Sequence, residues 1–259
     1  MSSVRLERRG PVVTLTIDRP EVRNALGPEL IIELTQLFQT LAVDETRVIV
    51  LTGAGSVFCA GADLDWMRRS RELSENENIA DAASAHHMWE AIDRCPKGVV
   101  ARVNGHALAG GSGLVAVCDL AIASEQASFG FTEARLGLIP ATISPYVLRR
   151  IGPGAARALF VSGRRFDAAE ALRLGLVHRV EPPEQLDAAV AEAVDELLAC
   201  SPVAIAESKR LVRDATESLV LEDLPHRLAA MRAAPEAQEG LAAFLDKQSP
   251  GWVVRSGDF

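Results

Sequence analysis

Two short stretches, CAGAD at 59–63 and LAGGSG at 108–113, gather small residues where a strand-like run hands over to a helix-like one. The first N–H groups of a helix have no partner within it, and they lie at the positive end of its dipole. Two such turns aimed at one point would hold an oxygen that becomes negative during a reaction, each donor contributing on the order of 3 kcal/mol to the transition state. Glycine and alanine suit that task because a larger side chain would keep the ligand oxygen out of hydrogen-bonding range. The same residues also suit plain tight packing of helix on strand, and composition alone leaves both readings open. Three named motifs fail. A dinucleotide fingerprint in TGAGSVF would need glycine at Phe58, a nucleophile elbow on Ser112 would need glycine at Leu114, and no Walker-type G-x-x-x-x-G-K-[ST] run occurs.

The elements that must carry these turns alternate. VVTLTID (12–18) reads as a β-branched strand, GPELIIELTQLFQTLA (27–42) has helical spacing, and RVIVLTG (47–53) is the continuous apolar run of a strand covered on both faces. The cycle returns with GVVARVNG as a strand, GGSGLVAVCD as a helix of small residues and LAIASEQASFG (120–130) as a strand. That pattern predicts α/β layering with right-handed crossovers. Residues 68–92 form a polar, charge-rich stretch running into a helix and are expected to be the least ordered part of the core, with His86 and His87 on solvated helix positions rather than acting as ligands. From Ala188 onward the pattern is helical, which predicts a boundary between 1–187 and a helical region 188–259.

Composition narrows the partners. The 259 residues carry a net charge of −8 with no basic run, which argues against nucleic acid and membrane surfaces. Cys59, Cys95, Cys118 and Cys200 are scattered without metal-ligand spacing, so no metal is expected and a reducing, cytoplasmic setting is. No segment offers the ~18 apolar residues of a membrane span.

RPEVRNAL, VFCAGADLDWM, VNGHALAGGSGLVAVCDLAIASEQASFGFTEARLGLIP, ALRLGLVHRVEP and AFLDKQSPGW occur in this order along the chain. In this the sequence resembles the enoyl-CoA hydratase/isomerase (crotonase) family. The resemblance implies an α/β spiral of ββα units, with a core at 1–187 and a C-terminal helical trimerisation region at 188–259. It also implies a homotrimer or a hexamer built as a dimer of trimers, and no cofactor beyond the coenzyme A of an acyl-CoA substrate.

Carried over residue by residue, the resemblance places the two oxyanion donors on the backbone N–H groups of Ala62 and Gly110. Ala60, Ala62, Asp63, Leu64 and Asp65 fall on the coenzyme A side, Arg23 near its phosphates, and Lys247 at a position that reaches the nucleotide of a neighbouring subunit. Glu133 takes the place of one of the two glutamates with which family hydratases hold a water; the other aligns with Gly113. Ser112 is then either a water-orienting hydroxyl or a packing residue, and His106 a hydrogen-bonded wall. Arg149 and Arg150 either meet a second carboxylate on the acyl chain or sit on a helix surface. The expected activity is hydration of a branched or carboxylated enoyl-CoA, as in the bacterial methylglutaconyl-CoA and carboxygeranoyl-CoA hydratase branch. A Δ3,Δ2-enoyl-CoA isomerase using one glutamate is the alternative, and a non-catalytic acyl-CoA binder the third.

Overall fold

In the computed structural model, which describes residues 2–217 and 224–258, the chain winds as a spiral that adds strands to two sheets in turn. It opens with the antiparallel pair β1 (Val4–Arg9) and β2 (Val12–Ile17), then α1 (Pro28–Val43). Next come β3 (Val48–Gly53), β4 (Val57–Cys59), α2 (Leu64–Ser70) and α3 (Glu75–Asp93). A second turn follows with β5 (Gly98–Val103), β6 (His106–Leu108) and α4 (Gly110–Val117). A third has β7 (Leu120–Ser124), β8 (Ser128–Gly130) and α5 (Ser144–Ser162). The remainder is β9 (Arg165–Asp167), α6 (Ala168–Leu174), β10 (Arg179–Glu181), α7 (Leu186–Leu198), α8 (Pro202–Glu217), α9 (Leu224–Ala233) and α10 (Pro235–Leu245).

The longer strand of each turn joins a six-stranded sheet ordered β1-β2-β3-β5-β7-β10, and the shorter strand joins a four-stranded sheet ordered β4-β6-β8-β9. This is the ββα repeat expected from the resemblance. β3 is buried at all six positions, because helices cover both faces of the sheet there. Leu30, Ile31, Leu34, Phe38 and Leu41 turn one stripe of α1 into the main core, which Met88, Trp89 and Ile92 of α3 complete.

Three local expectations change. Residues 120–130 are not one strand: Ala127 N–H donates to Ser124 O, and the resulting turn sends β7 and β8 into different sheets. The polar stretch 68–92 is mostly the regular helix α3, which starts at a capping box in which Ser74 and Glu77 each accept the other's backbone N–H. The boundary expected at Ala188 falls inside α7, whose Leu186, Ala189, Val190, Ala193 and Val194 pack on Val48, Val50, Val100 and Ile122 of the large sheet. The core therefore runs to Leu198. The helices α8 to α10 follow it, and positions 218–223 and 259 of the expected C-terminal region lie outside the described residues.

Candidate active site

Three parallel strands of the small sheet end side by side. β4 pairs with β6 through Val57↔His106 and Cys59↔Ala107, and β6 pairs with β8 through Ala107↔Phe129 and Leu108↔Gly130. Ala62 lies three residues past the end of β4, Gly110 two past β6 and Glu133 three past β8. Three residues span at most about 10 Å, so all three groups stand at one sheet edge, the carboxyl ends of parallel strands where α/β folds build their sites.

The first turn is pinned by the segment that begins at Arg23. Arg23 O accepts from Ala60 N at 3.1 Å, Gly61 O accepts from Leu26 N at 2.7 Å, and Leu26 O accepts from Asp63 N at 2.8 Å. In a trans peptide the carbonyl and the N–H point in opposite directions. Since Gly61 O faces Leu26, the N–H of Ala62 faces away from it. In the second turn Ala109 O accepts from Gly113 N at 3.1 Å along α4, so by the same rule the N–H of Gly110 points out of the start of that helix. Neither amide donates to another described residue.

The turns touch backbone to backbone. A Cβ on Gly61 would stand 2.9 Å from Leu108 O, and one on Gly111 would stand 2.1 Å from Cys59 O. Ala109 between them holds φ 49° and ψ −118°, outside the regions an L-residue prefers, with its N–H fixed on Gly130 O at 2.7 Å. Such strain persists only where the surroundings impose it, and it sets the direction of the Gly110 amide.

Glu133 opens a single 3-10 turn, Glu133–Leu136. Its Oε2 is buried without a hydrogen-bond partner, a state it shares among the described residues only with Arg47 Nε. Burial raises its pKa above the usual carboxylate range, opposed by a hydrogen bond from its own backbone N–H. A carboxylate so placed can take and return a proton nearer neutral pH. The neighbouring thiol is no rival, because burial pushes Cys59 up to about 12.

Gly113, one turn along α4 from Gly110, has no room for a side chain. A Cβ there would meet Ile143 Cγ2 at 2.5 Å and Trp89 Cη2 at 3.4 Å, and Ile143 and Trp89 are both buried. The same Trp89 ring lies under Gly110, and its Nε1 donates to Thr142 Oγ1 at 3.3 Å.

Several residues expected at the site serve the framework instead. Ser112 is fully buried; its hydroxyl donates to Ala107 O at 2.7 Å and accepts from Gly130 N at 3.2 Å, which ties α4 to β6 and β8 and leaves it no surface for a water. The Asp63 carboxylate caps α2 through the N–H groups of Asp65 and Trp66 and pairs with Arg19 at 3.0 Å. Burial works against its charge, but the Asp65 N–H and Arg19 hold its pKa below the usual range. Arg150 caps the far end of α4, donating to the carbonyls of Ala116, Cys118 and Asp119, while Arg149 pairs with Asp93 at 2.6 Å and lies over Tyr146. Both arginines line a separate cavity of about 610 Å³, and an eight-residue helix places that end about 12 Å from Gly110. Both arginines are thus held at the end of α4 opposite Gly110.

The half-buried Ala60 and the exposed Ala62, Leu64, Asp65 and Arg23 share the lip of the first turn. Lys247 lies just past the end of α10, which rests on α9. His106 bonds Ser128 Oγ through Nδ1 at 2.9 Å, and His86 and His87 are exposed on α3. Among the described residues no group of three or more His, Cys, Asp or Glu could hold a metal ion, and no helix is long and apolar enough to cross a membrane.

Sequence reasoning missed Arg19, Trp89, Thr142 and Ile143. Their roles depend on partners 30 to 53 positions away, and nothing in the local pattern marks such distant pairs.

A family model described as enoyl-CoA hydratase/isomerase matches residues 7–255. The 2,3-dehydroadipyl-CoA hydratase of Escherichia coli is 30% identical over 98% of this chain and 100% of its own length. A solved structure of an enoyl-CoA hydratase from Shewanella pealeana superposes with a TM-score of 0.93 at 36% identity, covering 97% of this chain and 96% of that one. Pseudomonas aeruginosa AtuE does so with a TM-score of 0.94 at 35% identity, over 98% and 100%.

Proposed function

The chain belongs to the enoyl-CoA hydratase/isomerase family, and from that premise we propose that it adds water across the C2–C3 double bond of an enoyl-CoA with a branched, apolar acyl part. The N–H groups of Ala62 and Gly110 hold the thioester oxygen. Glu133 takes a proton from water as the water oxygen bonds to C3, and the π electrons of the double bond move onto the carbonyl oxygen as an enolate. Glu133 then returns the proton to C2, so the sum is one water added and no cofactor is consumed. The reading narrows from carboxylated to apolar chains because Arg149 and Arg150, the cations that would have met a second carboxylate, are committed at the other end of α4.

The observation that carries this proposal is Oε2 of Glu133, a buried carboxylate oxygen with no hydrogen-bond partner among the described residues, three residues past the strand beside Ala109. Replacing it by Gln keeps the shape and removes the base, so Glu133→Gln should lower turnover on enoyl-CoA by ~10² to 10⁴ while leaving acyl-CoA binding within a few-fold. A variant that turns over normally would overturn the assignment.

The closed space at Gly113 favours a second reading, since one carboxylate suffices to move a proton between C2 and C4. An enzyme that converts 3-enoyl to 2-enoyl thioesters but adds no water to a panel of straight and branched 2-enoyl-CoAs is the isomerase. Tight binding without any C2 proton exchange identifies a non-catalytic binder. For assembly, the exposed Leu241, Phe244 and Leu245 of α10 supply the apolar surface on which a homotrimer, or a hexamer of two trimers, would close, and sedimentation of the purified chain measures it.

A further inference from the structure

With Ser112 sealed into the framework and Gly113 covered by Ile143, some other group must hold the attacking water if the hydration reading above is right. We propose that Thr142 is this water-orienting residue, with Trp89 as the residue that positions it.

The geometry of one indole ring supports the assignment. Trp89 is buried on α3, and the benzene edge of its ring lies against the first turn of α4: a Cβ on Gly110 would stand 3.9 Å from Cζ2, and one on Gly113 would stand 3.4 Å from Cη2. The nitrogen of the same ring donates to Thr142 Oγ1 at 3.3 Å. Thr142 is thus separated from the first turn of α4 by a single ring. The Trp89 N–H occupies one lone pair of the hydroxyl and leaves its hydrogen to another acceptor. A threonine hydroxyl has one hydrogen to give, and no acceptor for it occurs among the described residues.

Of the serines beside it, Ser112 is committed to Ala107 O and Ser144 to Ala141 O. Thr142 is half-buried, whereas Ile143 beside it is fully packed onto Gly113, so the segment presents one polar group and one plug. Glu133 and Thr142 belong to the same connection between β8 and α5, which is folded back by the bonds from Leu138 N to Glu133 O and from Ala141 N to Ile139 O. In the hydration step Thr142 donates to one lone pair of the water and Glu133 accepts one of its hydrogens. The remaining lone pair is left to bond C3. Proton exchange at C2 uses Glu133 and the two amides and does not need this hydroxyl.

That difference defines the test. Hydration of crotonyl-CoA and solvent-deuterium exchange at C2 of butyryl-CoA are measured on the full-length enzyme and on Thr142→Val, Thr142→Ser and Trp89→Phe. Thr142→Val keeps the shape and removes the hydroxyl. Its hydration kcat should fall by on the order of 10²-fold, the usual consequence of a misplaced reactant, while C2 exchange stays within about threefold. Thr142→Ser should restore most of the hydration rate, and Trp89→Phe, which loses the orienting N–H, should fall between. Normal hydration by Thr142→Val overturns the assignment of Thr142 alone, and so does an equal loss of both activities. A parent enzyme that exchanges C2 protons yet hydrates nothing overturns the hydration reading and takes this assignment with it.

Discussion

Gly111→Ala tests the contact on which the two turns depend. The added methyl would lie 2.1 Å from Cys59 O and 2.9 Å from Cys59 C, and both are backbone atoms with no rotamer to escape into. Restoring a tolerable contact means parting α4 from the end of β4 by roughly 1 Å, a misplacement that costs on the order of 10²-fold in rate when it separates groups acting on one substrate. Overpacking of this kind also costs about 1–3 kcal/mol of stability. The two effects are separated by a thermal melt alongside kcat and KM on crotonyl-CoA, with Gly154→Ala as the control: a Cβ at Gly154 meets nothing within 4 Å. The expected pattern is a folded Gly111→Ala enzyme with a lower melting temperature and a kcat reduced about a hundredfold, beside a control at the parent rate. A Gly111→Ala enzyme that is folded and catalyses at the parent rate would show that the two amides need not stand together, and the reasoning about them would fail.

Further outcomes follow from the same site. The raised pKa of Glu133 means that the folded state holds its proton to higher pH than the unfolded chain does, so stability falls as pH rises between the two values. Glu133→Gln should therefore raise the melting temperature at neutral pH, with the gain disappearing below the ordinary carboxylate range, even as it lowers turnover by ~10² to 10⁴. In the parent enzyme kcat/KM should decline as pH falls through the raised value. Asp63 has the opposite sign: its depressed pKa gives stability that is present above the unfolded value and lost as pH falls through the folded one. Asp63→Ala should cost about 0.5–2 kcal/mol from the lost cap alone, read by urea titration. Arg150→Met leaves buried carbonyls at the end of α4 unpaired, each costing about 1–3 kcal/mol, and should be among the more destabilising single changes. Gly113→Glu alone should not raise hydration and should destabilise the fold, because Ile143 Cγ2 would lie 2.5 Å from the new Cβ; pairing it with Ile143→Ala should recover much of the lost stability.

The repeated strand–helix cycle was legible because β3 is a nearly continuous apolar run, β5 is mostly apolar and α1 keeps helical spacing. The two turns were legible as well, since only small residues allow Gly61 and Gly111 to press against Leu108 and Cys59. The periodicity within 120–130 could not show that its two halves belong to different sheets, because β-propensity does not say which sheet a strand will join. The start of α3 had a readable sign in the Ser74–Glu77 capping box, which the polar composition around it obscured. The reach of the core through α7 was hidden by alanines, which score as plain helix formers yet supply buried faces at Ala189 and Ala193.

What stayed hidden shares one physical origin. Arg19 and Asp63, Trp89 and Thr142, and Gly113 and Ile143 are each a pair whose members sit far apart in sequence and have a meaning only when they meet. Each pair is also asymmetric in what it leaves exposed. Arg19 consumes the charge of Asp63, so the carboxylate beside Ala62 cannot repel a thioester oxygen that is becoming negative. Ile143 consumes the space at Gly113, so no second side chain enters there, and burial raises the pKa of Glu133 against the hydrogen bond from its own N–H. Trp89 consumes a lone pair of Thr142 and leaves its hydrogen to another acceptor. On the proposed reading the site works with two amides, one carboxylic acid and one hydroxyl. An enolate needs a donor for its oxygen and a proton carrier for its carbon, and hydration needs in addition a fixed direction for water. The four groups left after the pairings match those three requirements, and altering Thr142 separates the third from the other two.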